Sequence, residues 1–254
     1  MDTNTLALVS AALGGGAVVK LLEVGYQDLK EWRVGRSAHS MNVERNLEPL
    51  LRAADELVGK LRSLGEQDFI PLRNADLSDL TAPHVASVIY LFVQFWSEVE
   101  IVRFNGLSSH VAKSKRGRRT QAFLRCLESR RLRMIDRISQ RAVGEAAHIG
   151  GKTMNYVEFM KSVDSDPYVQ RWLEPLLVAL KAVKTSDGRQ KVLQYAVVVH
   201  ALIDTLDTDR LVTRERPAIP NKLNSKSKRD LNYRVFGVYL NFVRNRSKYI
   251  GPLN

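Results

Sequence analysis

Between Val85 and Phe104 the chain is apolar on nearly every side. Val85, Val88, Ile89, Leu91, Phe92, Phe95, Trp96, Val99, Ile101 and Val102 leave no helical face free of hydrocarbon. A helix of that kind belongs at the centre of a protein or in a membrane, not on a surface. Glu98, Glu100 and Arg103 leave about fourteen uncharged residues, which at ~1.5 Å each fall short of a ~30 Å hydrocarbon core. The stretch therefore reads as a central core helix around which other helices must pack.

The flanking sequence supplies those helices. From Asn42 to Leu64, Val43, Leu47, Leu50, Leu51, Ala54, Leu57, Val58, Leu61 and Leu64 recur at three- and four-residue steps, and Gly65 offers a terminator. Pro83 suits the first turn of the core helix. Arg118 to Ala147 reads as one long helix, ended by Gly150 and Gly151. Leu124, Leu127, Met134, Ile135, Ile138 and Ala142 lie on one side of it, and Arg119, Arg130, Arg133, Arg137 and Arg141 on the other. A short helix spans about 155–163. Asp166-Pro167 then starts another, bearing Val169, Trp172, Leu173, Leu176, Leu177 and Leu180. Ser186, Asp187 and Gly188 read as a turn, and Val192 to Leu206 as a further apolar helix. Thr208 to Arg229 is charged and contains Pro217 and Pro220. A last helix carries Leu231, Val235, Phe236, Tyr239, Leu240 and Val243 to about Asn245. Strand signals are nearly absent. The expected fold class is all-α: a bundle of about six helices over residues 41–207, with Trp96 and Trp172 in its core, and a basic linker and C-terminal helix over 208–254.

The N-terminus carries a different signal. Thr3 to Val19 holds no charge, and Lys20, Lys30, Arg33 and Arg36 follow it. A lysine can extend its ammonium to the headgroups, so Leu21 and Leu22 can stay in lipid and lengthen the apolar run to twenty residues. Residues 1–24 thus read as a transmembrane anchor and 25–40 as a basic juxtamembrane linker. Only Asp2 and the terminal amine precede the span, so the positive-inside rule places the N-terminus out and the bulk of the chain in the cytoplasm, beneath an inner (plasma) membrane. Competing readings are a first core helix, a flexible segment around Gly14, Gly15 and Gly16, and a signal peptide, for which Asp2 has the wrong sign. The single cysteine, Cys126, excludes an internal disulfide framework and suits a reducing compartment. Between Phe123, Leu124 and Leu127 it reads as a small buried hydrophobe.

Charge is unevenly distributed. The chain has net +12. The segment from Lys113 to Arg141 carries +9, and that from Arg210 to Lys248 another +9, leaving a mildly acidic remainder. Such asymmetry points to a polyanionic partner, either anionic lipid or nucleic acid, unless the acidic body neutralises the basic segments within the fold. Arg119, Arg130, Arg133, Arg137 and Arg141 are the candidate polyanion-binding residues, since guanidinium forks match phosphate oxygens. No nucleic-acid recognition motif accompanies them.

Chemistry is thinly represented. Glu145 and His148 form one E-x-x-H pair, whereas carboxylate-bridged di-metal bundles need two such pairs and two further carboxylates. Arg141, one turn back, is the expected partner of Glu145. His200, Asp204 and Asp207 share one helical face and read as surface polarity. No nucleotide loop, nucleophile elbow or zinc-protease motif occurs. The sequence therefore favours a non-enzymatic, membrane-anchored cytoplasmic interaction or scaffold protein whose basic surfaces dock inner-membrane lipid or a protein partner, with no cofactor and no metal. The alternatives are a soluble nucleic-acid-binding helical protein, and an enzyme of unfamiliar type using Glu145 with His148 or His200 with Asp204.

Overall fold

The computed structural model describes residues 47–77, 79–80, 82–106 and 114–252. The chain divides into two units, Met1–Glu44 and Arg45–Asn254. The expected anchor and juxtamembrane linker lie in the first, outside the described residues.

The described residues are predominantly helical, as the periodicity requires. Helix α1 (residues 47–66) buries Leu47, Leu50, Leu51, Ala54, Leu57 and Leu61, the stripe written in its sequence. After the short α2 (Ile70–Arg73), α3 (Pro83–Ile101) runs through the core with Pro83 in its first turn, and a π-helical turn (Val102–Gly106) follows. The helix is apolar enough to qualify as a membrane span, but 78% of its most apolar window is buried inside the protein, as befits a core helix. Trp96 is 1% exposed, and its Nε1 donates to the buried Tyr195 Oη at 2.8 Å, with Phe92 and Phe95 packed on the Tyr195 ring. This pair joins α3 to α8 (Ser186–Leu206), the second core helix, and satisfies two polar atoms that would otherwise be orphaned in hydrocarbon.

The long helix expected over 118–147 is two helices. α4 (Lys115–Leu127) and α5 (Arg137–Ala146) are separated by a nine-residue corner. A continuous helix would carry Arg131 onto the apolar stripe between Leu127 and Met134. Breaking it turns Arg131 outward, buries Leu132 instead, and leaves Ile138 72% exposed rather than in the core. Asp136 starts the new helix by accepting from the Ile138 and Ser139 amides, each at 3.0 Å. α5 then lies directly on α3. At Gly144 an added Cβ would stand 2.7 Å from the Trp96 carbonyl oxygen, so only glycine allows the approach.

Beyond α5, Gly150 and Gly151 do not simply stop a helix. Both have positive φ (57° and 83°) and form the turn of a small antiparallel hairpin, β1 (His148–Ile149) with β2 (Lys152–Thr153). α6 (Tyr156–Ser165) opens with a capping box in which Asn155 and Glu158 exchange hydrogen bonds, and Asp166 caps α7 (Pro167–Lys181) as its sequence implies. Ser186 to Gly188 form the first turn of α8, capped by Thr185, rather than a separate turn. The C-terminal helix is shorter than expected. α9 (Ser225–Arg229) passes into a π-helical stretch (Asp230–Phe236), residues 237–246 hold no α-helix, and α10 (Ser247–Ile250) follows.

Candidate functional site

The five arginines assigned to one helical face do not form one. Arg119 lies on α4, packed over the Phe242 ring at 5.6 Å. It also lines a small recess of about 330 Å³ between the start of α4 and the end of α8, together with Asp207 and Asp209. Arg141 lies on α5, but its guanidinium faces inward: Nε and Nη2 reach the two carboxylate oxygens of Glu128 at 2.8 and 3.1 Å. Glu128, and not Glu145, is its ion-pair partner. Arg103 completes the cluster at 2.7 Å from both Glu100 and Glu128. Burial pushes the Glu128 carboxyl up, yet the hydrogen bonds from Arg141 and Arg103 outweigh it and hold the group below the usual carboxylate range. Glu100, more enclosed, is raised by burial despite Arg103 and Arg141.

The other three, Arg130, Arg133 and Arg137, gather with Arg131 on the corner between α4 and α5. Ser129 shapes this corner by accepting, through its carbonyl, from the Leu132 and Arg133 amides at 3.0 and 2.9 Å. Arg130, Arg131 and Arg137 are exposed and Arg133 partly so. Among the described residues none of the four forms an ion pair.

The same corner forms one wall of a groove of about 920 Å³ between the start of α5, the outer face of α7 and the start of α8. Its existence accounts for the position of Trp172. Trp172, expected in the core, is 43% exposed. α7 carries two apolar stripes: Val169, Leu173, Leu176 and Leu180 are buried, while Tyr168, Trp172, Pro175 and Ala179 repeat the same spacing one residue out of register and line the groove. Pro175 has no N–H for the Arg171 carbonyl, which is tolerated because this face is open to water. At the corner end, Lys191 Nζ donates to the Met134 carbonyl at 3.2 Å. Burial, then the neighbouring Arg133 guanidinium, holds the Lys191 ammonium below its ordinary pKa.

The second basic segment behaves otherwise. Asp204 accepts from Lys248 Nζ at 2.5 Å, from Tyr249 Oη at 2.7 Å and from Arg210 Nη2. Arg216 forks onto Asp55 of α1 at 2.6 and 2.8 Å, and Lys222 Nζ donates to the Glu66 carbonyl. These four cations strap residues 208–252 to α1 and α8.

The candidate catalytic pairs fare as follows. His200, Asp204 and Asp207 do not form a surface polar face. His200 is 5% exposed, stacked edge-on against Tyr249, with Nε2 3.7 Å from Asp204 Oδ1, and burial lowers its pKa against the pull of Asp204. Asp207 accepts from the Leu211, Val212 and Thr213 amides and from Thr213 Oγ1, closing the loop after α8. Glu145 is exposed on α5, whereas His148 lies beyond the helix end, on β1, so the i, i+3 relation of a metal-binding pair is lost. His148 faces Glu98, whose carboxyl burial raises while a 2.6 Å hydrogen bond from Thr153 Oγ1 opposes. Among the described residues no three His, Cys, Asp or Glu side chains converge to hold a metal ion. Cys126 is fully buried, its thiol pushed up to about 12 and hence unreactive at neutral pH.

Comparison with protein-family models, with curated proteins and with solved structures returned no match.

Proposed function

We propose that the chain is a non-enzymatic, membrane-anchored interaction protein whose α4–α5 corner docks on anionic lipid headgroups. The observation that carries this reading is the set of four arginines, Arg130, Arg131, Arg133 and Arg137, concentrated on one turn without ion pairs among the described residues. Carboxylates within the fold hold Arg103, Arg141, Arg210, Arg216 and Lys248, so those cations are not offered to a phosphate-bearing surface as the corner arginines are. Guanidinium groups bind phosphate oxygens in a fork, and each basic residue near an anionic bilayer contributes about 1 kcal/mol. The apolar run from Thr3 to Leu22 supplies the anchor in this reading, with a single pass, the N-terminus out and the arginine corner facing the inner leaflet. Tethering raises the effective concentration of that leaflet and makes lipid the favoured polyanion over nucleic acid.

The test is co-sedimentation with vesicles of phosphatidylglycerol and phosphatidylcholine, and gel shift with duplex DNA in parallel. Wild-type protein lacking residues 2–22 is expected to leave the membrane fraction yet still bind phosphatidylglycerol vesicles at low salt. Changing the four corner arginines to Gln should abolish that binding. Equal binding to both vesicle types, or a preference for DNA, would overturn the lipid assignment.

A further inference from the structure

Helices α8 and α10 meet around one crowded carboxylate. Both oxygens of Asp204 are taken, Oδ1 by Arg210 and Oδ2 by Lys248 Nζ and Tyr249 Oη at 2.5 and 2.7 Å. One turn back on α8, His200 is buried against the Tyr249 ring, edge to face with centroids 5.6 Å apart. Its Nε2 stands 3.7 Å from Asp204 Oδ1, beyond hydrogen-bond reach, and has no hydrogen-bond partner among the described residues. In the tautomer protonated on Nδ1, a neutral imidazole leaves only one acceptor unmet there. An imidazolium adds a second N–H and a charge, and the facing Asp204 Oδ1 already serves Arg210. The surroundings do not compensate. Lys248 faces His200 from α10, Arg210 and Arg216 from the loop after α8, and Asp204 from its own helix. Arg216 is held by Asp55 of α1, and Arg116 of α4 donates to the Leu206 carbonyl. Asp204 and Asp55 thus already meet Arg210, Arg216 and Lys248 before any proton arrives. Of the elements around the imidazole, the four-residue α10 yields most easily. The loop bearing Arg210 is pinned by Asp207 through the Leu211, Val212 and Thr213 amides, and α8 is a core helix.

We propose that α10 is an acid-released latch: proton uptake at His200 frees residues 247–250 from α8 and uncovers Tyr249 and Ile250, both buried in the closed form. Burial, aided by Lys248, Arg210 and Arg216 and opposed by Asp204, holds the His200 pKa below its ordinary 6.5. Water reaches the imidazole once α10 lifts and restores its ordinary proton affinity. Closure is therefore fully favoured above pH 6.5 and is lost as pH falls below it. Asp204, itself held below its ordinary 3.8, stays ionised in that window. The latch uses none of the corner arginines and stands independently of the lipid docking proposed above.

The experiment is hydrogen exchange of the full chain in a neutral detergent, read by mass spectrometry at pH 7 and pH 5.5 and normalised to the intrinsic exchange rate at each pH. The Tyr249, Ile250 and Gly251 amides, which donate to the Arg246 and Ser247 carbonyls, should lose protection by up to about tenfold, the limit for one group one unit below its ordinary pKa. Helix α3 should keep its protection. His200→Asn should hold the protection of α10 constant between the two pH values to within about twofold. His200→Gln serves the same purpose if the Asn variant does not fold. Unchanged protection of α10 in the wild type, or a His200 variant that still loses it, would overturn the latch. So would an equal loss across α3, which marks global unfolding. If neither variant folds, the wild type decides alone, by whether the loss is confined to α10.

Discussion

The segments 113–141 and 210–248 each carry +9, and they distribute that charge differently. In the second, the exposed cations Arg214, Lys226, Arg229, Arg234 and Arg244 are scattered along the chain, and four others turn inward or strap it down. Arg210 and Lys248 share Asp204, and Arg216 grips Asp55 across 161 positions of sequence. In the first, Arg141 is engaged by Glu128, but Arg130, Arg131, Arg133 and Arg137 stay on the surface. Charge density alone therefore does not locate a docking surface. The supply of buried carboxylates does, because a cation that meets one inside the fold is no longer offered to a partner.

The contrast can be broken most forcefully at Asp204. Asp204→Ala leaves Arg210 and Lys248 as uncompensated, partly buried cations, and is expected to cost about 3–5 kcal/mol in urea unfolding. A change below ~1 kcal/mol would show that the second segment is as solvated as the first. The complementary experiment neutralises Arg130, Arg131, Arg133 and Arg137 to Gln. Vesicle affinity should fall by up to about 4 kcal/mol, at about 1 per arginine, and steeply with salt in the wild type. Unfolding stability should move by no more than about 0.5 kcal/mol, since these side chains leave no partner behind.

Within the first segment, Arg141→Gln should destabilise by roughly 1–2 kcal/mol. That is less than a fully buried charged hydrogen bond, because Arg141 is partly exposed and Glu128 keeps Arg103. Arg137→Gln on the same helix should be neutral in stability. The smallest effect is a pH slope. His200 has a lowered pKa in the folded protein, so below its ordinary value of 6.5 the unfolded chain binds a proton that the folded chain refuses. Stability then falls as pH drops through that window, by at most about 1.4 kcal/mol per pH unit from this group. Asp204, also lowered, acts in the same sense at more acid pH, whereas Glu98 and Glu100, both raised, act against it. His200→Asn should flatten the slope below pH 6.5, and an unchanged slope there would assign it to another group.

Local periodicity made the core helices legible. The stripe of α1, the all-round apolarity of α3 and the Asp166 cap of α7 are each written within a few turns of sequence, and each helix forms where its pattern falls. The break between α4 and α5 was legible too, in Arg131 interrupting its own apolar stripe, but a stripe read through every seventh residue passes over it. Two features were not. On α7, two apolar stripes offset by one residue fit one helix equally well, and only the neighbours decide that Leu173 goes in and Trp172 out. The Asp204 cluster draws its cations from positions 6 and 44 residues away, beyond any helical spacing, so a buried polar centre resembled an outer face. For the same reason the five arginines read as one helical face are split: Arg119 packs over Phe242, Arg141 meets Glu128, and Arg130, Arg133 and Arg137 lie with Arg131 at the corner.

Gly144 gives these surfaces different freedoms to change. It pins α5 to the backbone of α3 near one end of the helix, while the arginine corner projects from the other, about 12 Å away. Selection can then rewrite residues 130, 131, 133 and 137, altering the charge of the exposed corner, without disturbing the crossing that keeps the corner in place. The crossing itself is close to frozen, because any side chain larger than hydrogen at position 144 pushes against main chain. A lineage can thus recast the surface chemistry of the tip by substitution there alone, and a mutational library confined to those four positions would vary that surface while leaving foldability almost untouched.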